Sequence, residues 1–266
     1  MTDSTLPDDA EPFADDIDSL AADIATADHV AALTGAGVST ASGLPSFRGD
    51  DGIWGNEFDP ADFQYSRFKS DPGGFWEDRI ELQDRMFAGD VAPNAAHEAL
   101  TELQEMGTLD GLITQNTDGL HAAAGAERVL ELHGNAQRAI CDSCGRRVDA
   151  GPVFERARDG ERPPRCESCS GVLKPDVVLF GQPMPDGALQ QAQRHAQDAD
   201  VFLAIGSSLT VEPAASLPRV ASNRGATVAV VNLEETGVSG SAAYDIRADV
   251  TAVLPALAAT VRRRLE

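Results

Sequence analysis

Short apolar runs recur along the chain, and each breaks into small or polar residues at its C-terminal end. His29–Thr34 (HVAALT) runs into Gly35-Ala36-Gly37-Val38-Ser39, and Gly111–Thr114 (GLIT) into Gln115-Asn116-Thr117-Asp118. Leu130-Glu131-Leu132 runs into His133-Gly134, Asp200–Ile205 into Gly206-Ser207-Ser208, and Thr227–Val231 into Asn232-Leu233-Glu234. Brief apolar runs bounded by turn residues predict buried strands. Pro175–Gly181 predicts a further strand, with which the main domain resumes at Lys174. Between the strands, apolar positions fall at helical spacing. Ile17, Leu20, Ala21 and Ile24 predict a helix over 17–27, Leu100 and Leu103 one over 94–106, with others over 188–197 and 249–261. Strands alternating with helices define an α/β fold with a parallel sheet. Ligands bind such sheets beyond the carboxyl ends of the strands, and packing alone does not explain five polar sets on one edge.

Two segments break the alternation. Residues 56–93 carry aromatics at helical spacing (Phe63, Phe68, Phe75, Trp76, Phe87) and predict a helical insertion. Residues 135–173 hold all four cysteines, as Cys141-Asp142-Ser143-Cys144 and Cys166-Glu167-Ser168-Cys169. Two C-x-x-C pairs about twenty residues apart predict a zinc ribbon, since four thiolates satisfy one tetrahedral Zn²⁺. A full set of four protein ligands makes the site closed and structural. The main domain is then residues 17–134 and 174–266, with residues 1–16 as a disordered acidic tail.

Composition changes the picture in one respect. The formal net charge is -22, and Lys69 and Lys174 are the only lysines. Such a surface suits high salt, where screening removes self-repulsion, or a basic partner. It opposes non-specific nucleic-acid binding, which needs clustered cations. The N-terminus lacks the basic and apolar regions of a signal peptide, and no run of about 18 apolar residues exists to span a membrane. A cytoplasmic protein is expected, with a monomer as the default state.

The first strand end carries the first chemical signal. Gly35-x-Gly37 after a strand permits a tight turn and lets backbone N–H groups approach a pyrophosphate. By itself it is a weak signal: Thr40 stands where the third glycine of the usual fingerprint would be, and no Gly-Lys-Ser/Thr follows. The Gly-rich loop over 41–55 bears Phe47 and Arg48 and could close over a cofactor. Glu234 at a strand end suits a ribose hydroxyl. His97 reads as a packing or capping residue, and His121 as structural or substrate-side. A reading of another class is a zinc-ribbon nucleic-acid adaptor, for which Arg146, Arg147, Arg156, Arg158, Arg162 and Arg165 supply local positive charge.

Taken together, GAGVSTASGLPSFRG, TQNTDGLHAAAG, LELHG, the paired CxxC motifs, PDVVLFG, GSSLTVEPA and VVNLEET resemble, in order, the signature blocks of the sirtuins, the NAD-dependent protein-lysine deacylases. The resemblance covers roughly Leu33 to Leu254. It implies a Rossmann-type parallel sheet with helices on both faces, one structural zinc, NAD as cofactor, and acetylated-lysine proteins as partners. Gly35, Ala36, Gly37 and Ser39 match the phosphate turn; Phe47, Arg48 and Trp54 the cofactor loop. Gln115, Asn116, Thr117 and Asp118 match the ribose and nicotinamide pocket. Gly206, Ser207, Ser208, Asn232, Leu233, Glu234 and Val250 match the adenosine side. His133 matches the general base, and Asn116 joins it as a catalytic residue. The peptide would pair as a strand with Val178-Leu179-Phe180-Gly181 on one side and Leu209-Thr210-Val211 on the other.

Ser46 and Gln182 depart from the family pattern, where Asp and Glu are common. Relatives that prefer succinyl groups carry a Tyr-x-x-Arg pair; here Trp76-Glu77-Asp78-Arg79 stands there. Deacetylation is therefore favoured over desuccinylation, and protein ADP-ribosylation at the same site is a further alternative.

Overall fold

A computed structural model describes residues 7, 9–47, 52–184 and 186–266. Order begins earlier than the acidic composition suggested. Ala10 is fully buried in the main core, half-buried Phe13 packs on it, and helix α1 (Ala14–Thr26) starts ahead of Ile17. The expected tail over residues 1–16 is thus corrected at its C-terminal end, where apolar anchors outweigh the surrounding charge.

Strand β1 (Val30–Thr34) follows, then α2 (Tyr65–Ser70) and α3 (Pro72–Met86), then α4 (Ala95–Glu105). Next come β2 (Gly111–Thr114), the single turn α5 (Leu120–Ala123) and β3 (Val129–Glu131). The cysteine segment holds β4 (Gly134–Cys141), β5 (Arg147–Asp149), α6 (Ala150–Arg158) and β6 (Leu173–Val177). The chain returns through α7 (Asp186–Asp198), β7 (Val201–Ile205), α8 (Leu217–Ser222), β8 (Thr227–Val231), β9 (Tyr244–Ile246) and α9 (Val250–Leu265).

Six strands form one parallel sheet in the order β3-β2-β1-β7-β8-β9. The chain moves outward from β1 through β2 to β3, then restarts on the other side at β7. That reversal makes the β1–β7 boundary a topological switch point. Successive side chains face opposite sides. Val30 and Ala32 join α1, α4 and α9 in one core; Ala31 and Leu33 join α7 and α8 in another. Both faces of the sheet are covered, as expected. Edge strand β9 was not evident from the pattern, because three residues (Tyr-Asp-Ile) carry too little periodicity.

Two expectations about the insertions are corrected. Leu173–Val177 does not return to the parallel sheet: β6 pairs antiparallel with β4 in a three-stranded sheet, order β5-β4-β6. Four of its five residues are buried, Lys174 and Asp176 among them, and the apolar run that suggested a central strand, Val177–Phe180, lies at and beyond its end. Nor are the helical insertion and the cysteine module separate. Phe63, Phe68, Phe75, Trp76 and Leu82 share a single core with Ala139, Val153, Phe154 and Leu173. Trp76 is fully buried, and its indole N–H donates to Leu173 O at 2.8 Å. Neither insertion has enough apolar surface to fold well alone; together they form one small domain.

Candidate active site and four-cysteine centre

All six parallel strands point their C-terminal ends at one edge. The ladder continues one residue past several of them: Gly35 N to Ile205 O, Gln115 N to Thr34 O, Leu132 N to Thr114 O and Gly206 N to Val231 O, at 2.9–3.0 Å. The polar sets therefore begin right at the rim of the sheet.

At the switch point the turns after β1 and β7 pack backbone to backbone. Gly37 N donates to Gly206 O at 2.8 Å. A Cβ on Gly35 would stand 2.7 Å from Gly206 O, and one on Gly206, whose φ is +56°, would stand 2.6 Å from Val38 N. The glycines admit each other as well as any ligand.

Beside them lies a buried hydrogen-bonded cluster. Ser39 Oγ donates to Asp118 Oδ2 at 2.8 Å, and Asn116 Nδ2 donates to Gly35 O at 3.0 Å and to Ser39 Oγ at 3.1 Å. Leu120 N donates to Asp118 Oδ1 at 2.8 Å. Burial raises the pKa of the Asp118 carboxyl, against the lowering effect of these donors. Gln115 Nε2 donates to Ser207 Oγ at 2.8 Å, joining the ends of β2 and β7. Thr117 supplies its carbonyl to Ala136 N at 2.7 Å.

His133 follows β3 and is half-buried. Its Nδ1 lies 2.9 Å from Gln115 O. A carbonyl only accepts, so Nδ1 carries the proton and Nε2 holds the lone pair of the neutral ring. Gly134, with φ +80°, must follow it, because a Cβ there would run into the carbonyl of Asp176. Backbone Val178 N donates to His133 O at 2.8 Å, so the predicted peptide-side segment is fastened to the histidine's own main chain.

Behind this cluster sit two histidines. His97 Nδ1 accepts from Asn94 N at 3.3 Å, closing the N-terminal capping box of α4, and its Nε2 is 3.4 Å from Ser39 Oγ. His121 Nε2 is 2.9 Å from Thr34 Oγ1. The two rings are 4.8 Å apart. Burial lowers the pKa of His97 to about 4 and, with the neighbouring ring, that of His121 to about 3. Both are neutral when folded, whereas unfolded imidazoles titrate near about 6.5. As pH falls below that value, the unfolded chain takes up protons the folded one refuses, and stability drops until the folded pKa is passed. Thermal denaturation is expected to show Tm falling by several degrees from about pH 7 to about pH 5, with His97→Gln flattening the slope. An unchanged slope would show that these rings are protonated in place.

The remaining expected residues are less uniformly placed. Phe47 and Trp54 stack at 5.9 Å, and Trp54 meets Phe180 edge-on at 5.4 Å, so cofactor loop and peptide segment share one aromatic cluster. Arg48 lies outside the described residues. Ala36 is half-buried in the first turn and Ser208 is exposed beside Thr210, 3.0 Å between hydroxyls. Asn232 Nδ2 donates to Glu234 O at 2.8 Å, while Leu233 and Glu234 face solvent. Val250, the first residue of α9, packs in the main core. Val178, Phe180 and Val211 are half-buried. Sequence reading missed Phe63, which also touches Trp54, at 5.2 Å; a cluster of Phe and Trp around a Gly-rich loop was the available signal.

The four cysteines converge. Cys141, Cys144, Cys166 and Cys169 bring their Sγ atoms within 4.8 Å of one another, with Cys141–Cys169 at 3.5 Å and Cys144–Cys166 at 3.9 Å. A tetrahedron with Zn–S bonds of about 2.3 Å has S–S edges of about 3.8 Å, so the thiols fit one zinc ion. The surrounding arginines do not form a free basic face. Arg147 pairs with Asp176, Arg156 with Glu161, Arg158 with Asp84 and Arg162 with Glu77. Arg146 bonds Ser168, and Arg165 the carbonyl of Ser170. The adaptor reading loses its support.

A switch-point turn, a buried amide–carboxylate pocket, an oriented imidazole and a four-thiol centre define a Rossmann-type nucleotide-binding protein with a small metal-binding domain. The Sir2 family model matches residues 35–213, and the chain belongs to that family. It is 57% identical over 243 residues to the NAD-dependent protein deacetylase of Haloarcula marismortui, covering 91% of this chain and 93% of that one. A Sir2 homologue in complex with NAD superposes with a TM-score of 0.82 at 37% identity, covering 93% of this chain and 94% of that one. A Sir2 structure holding a peptide and NAD⁺ gives 0.78 at 32% identity, covering 92% and 95%. No helix among the described residues is long and apolar enough to cross a membrane.

Proposed function

We propose that this protein removes acetyl groups from protein lysines at the expense of NAD, releasing nicotinamide and O-acetyl-ADP-ribose. The observation that carries the reading is the His133–Gln115 hydrogen bond at the rim shared with Ser39, Asn116 and Asp118. When bound, NAD would supply the ribose carbon that the acyl oxygen bonds as the bond to nicotinamide breaks, and the ribose hydroxyl that takes the acyl carbon as the lysine amine leaves with uptake of one water. Asn116 and Asp118 hold the nicotinamide amide, and Ser39 fixes both of them. Gly35, Ala36 and Gly37 present backbone N–H groups to the phosphates. Gln115, Ser207 and Ser208 meet ribose, with Thr117 beside them; Asn232, Leu233 and Glu234 line the adenosine side, where Val250 contributes backbone. Phe47 and Trp54 exclude water. His133 Nε2 accepts a proton from a ribose hydroxyl, acting as general base. The acyl-lysine peptide adds as a strand between Val178–Phe180 and the segment at Val211.

Trp76 in place of the tyrosine of a Tyr-x-x-Arg pair favours a neutral acyl group, although Arg79 is present. Arg79 is buried, its guanidinium lies over the Phe154 ring at 5.4 Å, and burial lowers its pKa to about 10. Its Nη1 has no hydrogen-bond partner among the described residues, while Trp76, which stands where a Tyr-x-x-Arg pair has its tyrosine, is fully buried and donates to Leu173 O instead. The acidic surface suits a cytoplasm rich in salt.

The test is an acetyl-lysine peptide incubated with and without NAD and followed by mass spectrometry. Loss of the acetyl mass only with NAD, with nicotinamide formed in equal amount, is expected. A mass gain on the peptide, or deacetylation without NAD, would overturn the reading. Asp118→Asn is expected to raise Tm near neutral pH while slowing turnover, because a buried carboxyl with a raised pKa is costly to ionise. A lowered Tm would show that the bonds from Ser39 and Leu120 outweigh that cost.

A further inference from the structure

Helix α2 lies between the cysteine centre and the peptide segment, and touches both. At its start, Tyr65 N donates to Phe180 O at 2.9 Å, and Phe180 N donates to Phe63 O at 3.2 Å. The stretch 63–65 thus forms a parallel bridge with Phe180. From the same residue, the Tyr65 hydroxyl donates to Asp142 Oδ1 at 3.0 Å. Asp142 is the first spacer residue of the Cys141–Cys144 knuckle. Its other oxygen accepts from Lys69 Nζ at 2.6 Å, and its own N–H donates to Val172 O at 3.0 Å beside the second knuckle. Phe180 in turn packs edge-on against Trp54 of the cofactor loop.

A surface knuckle needs no partially buried tyrosine to fold around a metal. Tyr65 thus joins the knuckle, through its hydroxyl, to one of the two backbone segments that would flank the peptide, through its main-chain N–H. We infer that Tyr65 and Asp142 are positioning residues for the acyl-peptide strand. Their hydrogen bond holds the start of α2, and through it Phe180, at the height set by the cysteine centre. This inference rests on the reading of Val178–Phe180 as the peptide's partner. Neither residue touches substrate, and neither is a metal ligand.

A partly buried hydrogen bond is worth about 0.5–1.5 kcal/mol, a roughly two- to twelvefold change in affinity. Tyr65→Phe keeps the ring and the backbone bond to Phe180 and removes only the hydroxyl. The zinc-loaded variant is expected to retain one zinc per chain and wild-type affinity for ADP-ribose, while the dissociation constant for an acetyl-lysine peptide rises by about threefold to tenfold. Asp142→Ala should weaken the peptide similarly, and the double variant no further. Asp142→Asn, which keeps an acceptor for Tyr65, should restore most of the affinity. Val178→Lys, on the peptide segment itself, is the reference. If it weakens the peptide while Tyr65→Phe does not, the relay is wrong and the peptide's placement stands. If Val178→Lys leaves the peptide unaffected, the placement fails and the inference with it. Loss of zinc or of ADP-ribose binding in Tyr65→Phe would show a general structural role and would also overturn it.

Discussion

Replacing His133 by alanine is expected to lower the rate of NAD-dependent deacetylation by about 10²–10⁴-fold, the usual contribution of a positioned general base. The expected loss comes from one nitrogen. Gln115 O takes the proton on Nδ1, so the lone pair of the neutral ring is on Nε2. No other residue placed at this rim can replace it. Asp118 is engaged by Ser39 and Leu120, and His97 and His121 are already bonded behind the pocket. The fold should survive the change. His133 is held through its main chain by Val178 N, a bond alanine keeps, and the tight contact behind it belongs to Gly134. ADP-ribose should bind the variant as it binds the parent. Nicotinamide departs before the base is needed, so exchange of labelled nicotinamide into NAD in the presence of acetyl peptide should persist. An alanine variant that deacetylates at the parental rate would remove His133 from the mechanism.

The second large effect is expected from the cysteines. Cys141→Ser should abolish stoichiometric zinc, measured by inductively coupled plasma mass spectrometry, and collapse the small domain. Structural zinc sites bind with about 10–16 kcal/mol of free energy that is available only to the folded module, comparable with the whole stability of an ordinary domain at about 5–15 kcal/mol. The damage should not stop at the knuckles. Cys141 is itself part of the apolar core that contains Trp76, Phe75 and Phe154. Losing the metal should therefore release α3 as well as β4 to β6, and the environment of Trp76 should change in fluorescence and near-ultraviolet dichroism. The sheet keeps two cores of its own, so ADP-ribose binding should outlast peptide binding as chelator is added. Simultaneous loss of both would show that the two domains unfold as one unit. A metal-free protein with unchanged Tm would show that hydrophobic packing alone holds the module.

How far such features can be read from residues alone depends on the range of the interactions that fix them. Val30–Thr34 and Thr227–Val231 were legible because a doubly buried strand must be apolar throughout, and their polar ends because no core tolerates Gln115 to Asp118 unpartnered. The cysteine spacing was legible because tetrahedral coordination dictates it. By contrast, β6 has the burial of a central strand but carries Lys174, Pro175 and Asp176, and its antiparallel partner β4 is recorded in no local pattern. The fusion of the two insertions into one core was hidden for the same reason: Trp76 and Phe154 lie far apart in sequence and meet only in space, with ring centroids 5.1 Å apart. His97 was legible as a cap, since Asn94 precedes it at capping distance, but its approach to Ser39 was not. Arg79 shows the converse. Its spacing from Trp76 left half of an acyl-reading pair in place, and its burial against Phe154 could not be read from that spacing.

The interlocked turns at Gly35, Gly37 and Gly206 have a consequence for synthesis on the ribosome. The turn proposed to meet the phosphates is made early, yet the surface it rests on follows a strand translated some 170 residues later. Until β7 emerges, β1 lacks its neighbour on that side, and the glycine turn has nothing to close against. A nascent chain halted between the cysteine module and β7 has all four thiols but lacks the turn at Gly206. The four thiols are therefore complete before the glycine turn can close, and a product truncated before β7 is expected to take up metal without holding NAD.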